Sequence, residues 1–257
     1  MNTKSQFAIR FGVFTANREN GGGDLSSQYQ RNFCPDRNAS QGGEDGIIQE
    51  IFRRLSVIRG TFVEFGAWDG ILFSNTYALV KKGWDGLYIE GDPKKFKKLR
   101  RNMAAHPRIR TLCRYVGCEG QGRLDHILAQ VNIPEDFDLL SIDIDGNDYW
   151  IFQSLAQFHP RVIVAEYNAN FGPAESKSIP YNPRHQWDGT MFFGASAAAL
   201  YKLARAKGYT PVAYTRLVNL FFVRNDLVSG RFEPLAIEKV PVGPVHIQKR
   251  RAEFIDV

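Results

Sequence analysis

Apolar residues recur along this chain with two periods, and the two alternate. In GEDGIIQEIFRRL, Ile47, Ile48, Ile51, Phe52 and Leu55 fall at helical spacing and predict an amphipathic helix ahead of the first strand. Strand-like runs follow at 61–65 (TFVEF), 86–90 (GLYIE), 110–116 (RTLCRYV), 137–142 (FDLLSI) and 161–166 (RVIVAE). Helical segments are predicted between them near 72–82, 93–104, 123–131 and 148–158, with Pro93 suited to a first helical position. Several runs are continuously apolar, as strands buried on both faces of a parallel sheet are, so the alternation predicts a doubly wound α/β domain. The end differs: after a helix near 195–207, YTPVAYTRLVNLFFVR holds two strands with almost nothing between them, which requires an antiparallel hairpin. Residues 1–42, polar and punctuated by glycine, read as an arm or lid before a domain at 43–225. Residues 226–257, with Pro234, Pro241 and Pro244, read as an extended tail.

Composition leaves this picture standing. With 257 residues, 44% of them hydrophobic, the chain can build an ordinary packed core. No apolar run approaches the roughly 18–20 residues of a membrane span, and the N-terminus lacks the pattern of a secretory signal. Three cysteines without CxxC spacing argue against a disulfide framework or a structural zinc site, so a reducing cytoplasm is expected. The net charge of +6 is uneven, concentrated in KKFKKLRRN (94–102) and QKRR (248–251). Phe96, Leu99 and Met103 turn one side of the first run inward, which leaves its cations facing water. A surface for an acidic glycan, a lipid or a nucleic acid is the alternative, although no aromatic interleaving of the kind single-stranded nucleic acids use is present.

Charge changes the reading most at the first turn. FVEFGAWDG places Glu64, Gly66, Asp69 and Gly70 beyond the first strand, where ligands of open α/β sheets bind. A dinucleotide pyrophosphate needs bare backbone N–H groups in a G-x-G-x-x-G turn, and carboxylates here would repel it. They suit a ligand presenting an ammonium and a sulfonium. Glu90, twenty residues after Gly70 and followed by Asp92, can accept from ribose hydroxyls in either kind of site. The plainer alternative makes these carboxylates turn and helix caps.

VEFGAWDG, LYIEGDP and DLLSIDIDGNDYW, in that order, resemble the FkbM-type branch of S-adenosylmethionine (SAM) dependent methyltransferases, over about residues 44–223. The terminal hairpin is similar to that of the class I methyltransferase fold, whose seven-stranded, mostly parallel sheet contains one antiparallel strand. The resemblance implies SAM as cofactor and methyl transfer to an oxygen, often of a sugar or natural product. Ser141 stands where many relatives carry lysine.

At the reacting end, Asp143, Asp145, Asn147 and Asp148 follow the fourth strand, and Glu166 and Asn168 close the fifth. Carboxylates gathered at neighbouring strand ends favour either protonation or an oxygen-liganded divalent cation such as magnesium. A likeness to metal-dependent catechol and macrolide-sugar O-methyltransferases implies Asp143, Glu166 and Asn168 as the ligands. A turn and helix cap at 145–148 is the alternative. For the base, His185 in the loop SIPYNPRHQWDGT is a candidate, as are Asp143 and Asp145. Tyr181 and Trp187 in that loop would suit a sugar ring. Gln41, Glu44 and Asp45, before the first helix, either close over the cofactor's amino-acid end or complement the helix dipole. The partner expected is therefore a small-molecule or glycan acceptor. Rival readings are an NAD(P)-linked oxidoreductase or epimerase, and a non-catalytic domain holding an anionic polymer through the two basic clusters.

Overall fold

The structure, a computed structural model, describes residues 40, 42–243 and 253–257. The arm at 1–39, Gln41, Cys34 and the basic QKRR cluster lie outside them. The elements in chain order are α1 (Glu44–Arg54), β1 (Thr61–Phe65), α2 (Tyr77–Lys81), β2 (Asp85–Glu90), α3 (Pro93–Met103), β3 (Ile109–Cys113), α4 (Leu124–Gln130), β4 (Leu139–Ile142), α5 (Asp148–Ser154) and β5 (Val162–Glu166). They continue with β6 (Lys177–Ser178), α6 (Ala197–Ala206), β7 (Tyr209–Tyr214), β8 (Asn219–Arg224) and β9 (Ile255–Asp256).

Seven strands form one sheet in the order β3-β2-β1-β4-β5-β8-β7. The first five are parallel, and β8 pairs antiparallel with both β5 and β7. This is the expected doubly wound sheet with its terminal hairpin. Strand order reverses between β1 and β4, the place where open α/β sheets bind ligands. Pro211, which cannot donate to a ladder, sits at the irregularity of edge strand β7.

Period-two alternation sends side chains to two cores. Val63, Phe65, Leu140, Ile142 and Ile163 pack on one face, while Phe62, Leu139, Val162 and Val164 pack on the other with Ile47, Ile48 and Ile51 of α1. At the carboxyl end of this second face the alternation yields polar residues, Glu64 on β1 and Ser141 on β4, both buried. The helical periodicity of 47–55 and of 96–103 thus finds its packing surface. Outlines shift by a few residues: the helix expected over 72–82 is only Tyr77–Lys81, because Ser74, Asn75 and Thr76 are drawn into hydrogen bonds to Glu64 and Ser141.

The segment after β8 is packed rather than extended. Phe232, Leu235 and Val240 are buried, Leu235 N donates to Pro211 O, and Gly243 N donates to Ala169 O. Three widely spaced apolar residues leave no periodicity to read, which is why the sequence suggests a tail. Residues 255–256 pair with β6, and Ser176 Oγ donates to Val257 O.

Candidate active site

The site grows from the backbone beyond β1. Gly66 has φ 75°, and a Cβ there would lie 2.0 Å from Asp143 O, so the approach of β4's end to β1's end requires glycine. Gly70, at φ 76°, lies against α3, where a Cβ would meet Leu99 Cδ1 at 2.6 Å. Asp69 Oδ1 accepts from Ile71 N and Leu72 N, closing the turn on itself. Glu64 is 4% exposed and accepts from Ser74 Oγ, Thr76 N and Thr76 Oγ1, at 3.1, 3.1 and 2.6 Å. Burial nonetheless pushes its carboxyl up to about 7, against the pull of those donors.

Glu90 lies across the crevice. Its Oε2 accepts from Trp68 N and its Oε1 from Asp92 N, both at 2.8 Å, so one carboxylate ties the β1 and β2 turns together. Asp92 caps α3, accepting from Lys94 N and Lys95 N, and those backbone donors hold its carboxyl below the usual range. Beside Glu90 stands a residue not singled out from sequence: Tyr115 is 68% exposed, with its ring laid on the Gly91 backbone. Its only sequence signal is its place at the end of an apolar run.

On the other side of the switch point, Asp143, Asp145 and Glu166 converge, with one carboxylate oxygen of each within 4.8 Å of the others. The loop from β4 to α5 makes this convergence. Buried Asp148 accepts from Ile144 N at 2.9 Å and Gly146 N at 2.8 Å, curling the chain so that Asp145, at φ 53°, turns back toward Asp143. Desolvation raises the Asp148 carboxyl to about 6. Asp148 is therefore the brace of the cluster, which reduces the four carboxylates counted in the sequence to three.

Asn147 and Asn182 clasp each other: Asn147 Nδ2 donates to Asn182 O, and Asn182 N donates to Asn147 Oδ1. That clasp draws the loop of His185 over the cluster. His185 Nε2 lies 3.2 Å from Asp145 O, and its ring covers Gly146, where a Cβ would sit 2.7 Å from Cδ2. Tyr181 leans toward Cys118, whose N donates to its hydroxyl, and Trp187 Nε1 donates to Thr190 O. Asn168 is fully buried, its Nδ2 donating to Met191 O and Phe193 O and its Oδ1 accepting from Asn170. The structure thus gives Asn168 to the loop after β5.

From the second face, Glu44 accepts from Gly42 N and from Asn219 Nδ2, and Asn219 stands opposite Glu166 across β5 and β8. Asp45 accepts from Ser40 Oγ. The first turn of α1 is thereby pinned to the same sheet edge.

Residues 120–209, the stretch that carries Asp143, Asp145, Glu166 and His185, match the model of the methyltransferase FkbM domain. Glu64, Gly66 and Glu90 precede the matched stretch. No curated protein sequence matches the chain. Among solved structures, the chain is similar to the N-terminal domain of EvdMO1 with SAH bound, at 12% identity and TM-score 0.45 over 72% of this chain and 80% of that one. It is also similar to the CMeT domain of citrinin polyketide synthase, at 10% identity and TM-score 0.46 over 72% of this chain and 54% of that one. A Staphylococcus aureus protein proposed to be a caffeoyl-CoA O-methyltransferase gives 13% identity and TM-score 0.49 over 72% and 84%.

Proposed function

We propose that this protein is a methyltransferase of the FkbM kind that transfers a methyl group from SAM to a hydroxyl oxygen of a sugar, glycan or natural-product acceptor. One observation carries the reading: Asp143, Asp145 and Glu166 converge at the ends of β4 and β5, across the switch point from Glu90. The match of residues 120–209, which hold the three carboxylates of the cluster, to the methyltransferase FkbM domain supports it.

Bound in the crevice, SAM supplies an electrophilic methyl group on a sulfonium. Each Glu90 oxygen already accepts one N–H and retains capacity for a ribose hydroxyl, since a carboxylate oxygen accepts more than one hydrogen bond. Tyr115 offers a flat aromatic face beside it for the adenine. Gly66 lets the end of β4 close on the end of β1, which sets the carboxylate cluster beside the crevice where the cofactor would be held.

The acceptor hydroxyl would enter over the three carboxylates. Its proton passes to a carboxylate of the cluster or to His185; with Nε2 donating to Asp145 O, Nδ1 is the ring's acceptor nitrogen. The donor set is all carboxylate, which fits magnesium or a similar hard cation held by Asp143, Asp145 and Glu166. Such an ion would lower the hydroxyl pKa and orient the acceptor.

Calorimetric titration with S-adenosylhomocysteine tests the cofactor, and magnesium titration with and without the Asp143→Ala change tests the cluster. Micromolar binding of S-adenosylhomocysteine, weakened at least about tenfold by Glu90→Ala, is expected, as is a magnesium heat lost in Asp143→Ala while cofactor binding persists. Cofactor affinity lost with Asp143→Ala would move that residue out of the acceptor site, and no affinity at all in the parent protein would overturn the reading.

A further inference from the structure

We infer that the outer face of α3 docks the protein on an anionic lipid surface. The helix PKKFKKLRRNM carries six cations and no acid, and its sixfold positive charge equals the net +6 of the whole chain. Its inner side is settled by Leu99 and Met103, both buried. Lys94, Lys97, Lys98 and Arg101 therefore fall on one outward stripe at i, i+3, i+4 and i+7, all exposed.

Elsewhere among the described residues, several basic side chains have acidic partners: Arg53 and Arg54 with Glu50, Arg224 with Asp136 and Asp226, Arg123 with Asp125, Arg161 with Asp138. Among the described residues, none of the six α3 cations makes an ion pair. Like charges three and four residues apart repel, and among the described residues only Asp92, at the cap beside Lys94 and Lys95, offsets part of that cost. An anionic surface would offset the remainder.

The composition of the surface selects the partner. Among the described residues, the 550 Å³ depression at the stripe is lined by Lys94, Lys97, Lys98, Arg100, Arg101 and Ala104, all of α3 itself. A row of lysine-rich point charges fits a plane of headgroups better than bidentate phosphate recognition. On the flank toward β1 the turn after that strand lies along the helix, held by Asn102 Nδ2 donating to Asp69 O. It brings Trp68, 5.8 Å beneath Lys95 Nζ, and exposed Leu72 to the edge of the stripe. Cations flanked by tryptophan and leucine are the composition of interfacial surfaces. The inference stands apart from the choice of acceptor.

Vesicle co-sedimentation of the full chain tests it, using phosphatidylcholine alone and phosphatidylcholine containing phosphatidylglycerol, with a variant K94Q/K97Q/K98Q/R101Q. Binding to the anionic vesicles only, reversed by salt, is expected. Each cation near such a surface contributes about fivefold, so the variant should bind at least about a hundredfold more weakly. An unchanged melting curve would show that the variant is folded; if it does not fold, binding of the parent protein to the two vesicle types decides. Equal binding to both vesicles, no binding at low salt, or full displacement by heparin or RNA at equal charge would overturn the inference.

Discussion

A single carboxylate shows how much a residue's neighbours decide. Glu64 is acidic, follows an apolar run and precedes a glycine turn, which in the sequence makes it a candidate for the cofactor's ammonium. In the structure its Oε2 gathers Ser74 and Thr76, and burial raises its pKa to about 7 from an ordinary 4.5. A carboxyl whose folded pKa is raised favours the folded state below its unfolded pKa and loses that contribution as pH climbs through the folded value. Stability should therefore fall between about pH 4.5 and 7, by up to about 3 kcal/mol for this group. Glu64→Gln should flatten that part of the profile in denaturant melts; a profile unchanged by the substitution would remove Glu64 as its source. At Gly66 the expectation is steric: Gly66→Ala puts a methyl group into Asp143 O at a φ that disfavours side chains, and should cost at least about 2 kcal/mol in thermal unfolding.

At the scale of elements, the short connections matter more than the strands. The β4–α5 loop is shaped by Asp148 from within and clasped by Asn147 to the loop of His185. Asn147→Ala removes both contacts with Asn182 and should release that loop, costing about 1–3 kcal/mol and speeding protease cleavage between 181 and 190. Protection unchanged from the parent would show that other contacts hold the loop. At the start of α3, Asp92→Ala removes the cap and should cost about 1 kcal/mol, read by urea melts, while the capped backbone of Lys94 and Lys95 loses its acceptor.

For the whole molecule, the C-terminal segment is part of the fold it follows. Leu235 is buried and bonded through its backbone to Pro211, so Leu235→Ala should cost about 2–4 kcal/mol, as core truncations do. A cost below about 0.5 kcal/mol would return this stretch to a tail. The seven-stranded order also fixes the distance between the two halves of the site, since Glu90 ends β2 and Glu166 ends β5 with β1 and β4 between them.

What the sequence by itself determined was what depends on period: alternating strands and helices, the doubly wound class, the closing hairpin, the inward side of α3 and the strand ends where polar residues would collect. These were legible because burial repeats every two or 3.6 residues and needs no knowledge of distant partners. Asp143, Asp145, Glu166 and His185 were nameable from the motif and its loop, but the choice among carboxylates was not. Asp143, Asp145 and Asp148 look alike along the chain; only the folded backbone decides that two of them turn toward Glu166 while the third is consumed by Ile144 and Gly146. Asn168 and Asp92 take their internal contacts in the same way, from donors and acceptors that arrive from elsewhere in the chain or from a helix end. Tyr115 becomes visible only through the exposed face that packing on Gly91 gives it, and Leu235 only through a pocket built by β7. Tertiary structure decided these because a polar or apolar side chain acts through whatever stands within a few ångströms of it, and that neighbourhood is set by the sheet order rather than by position in the sequence.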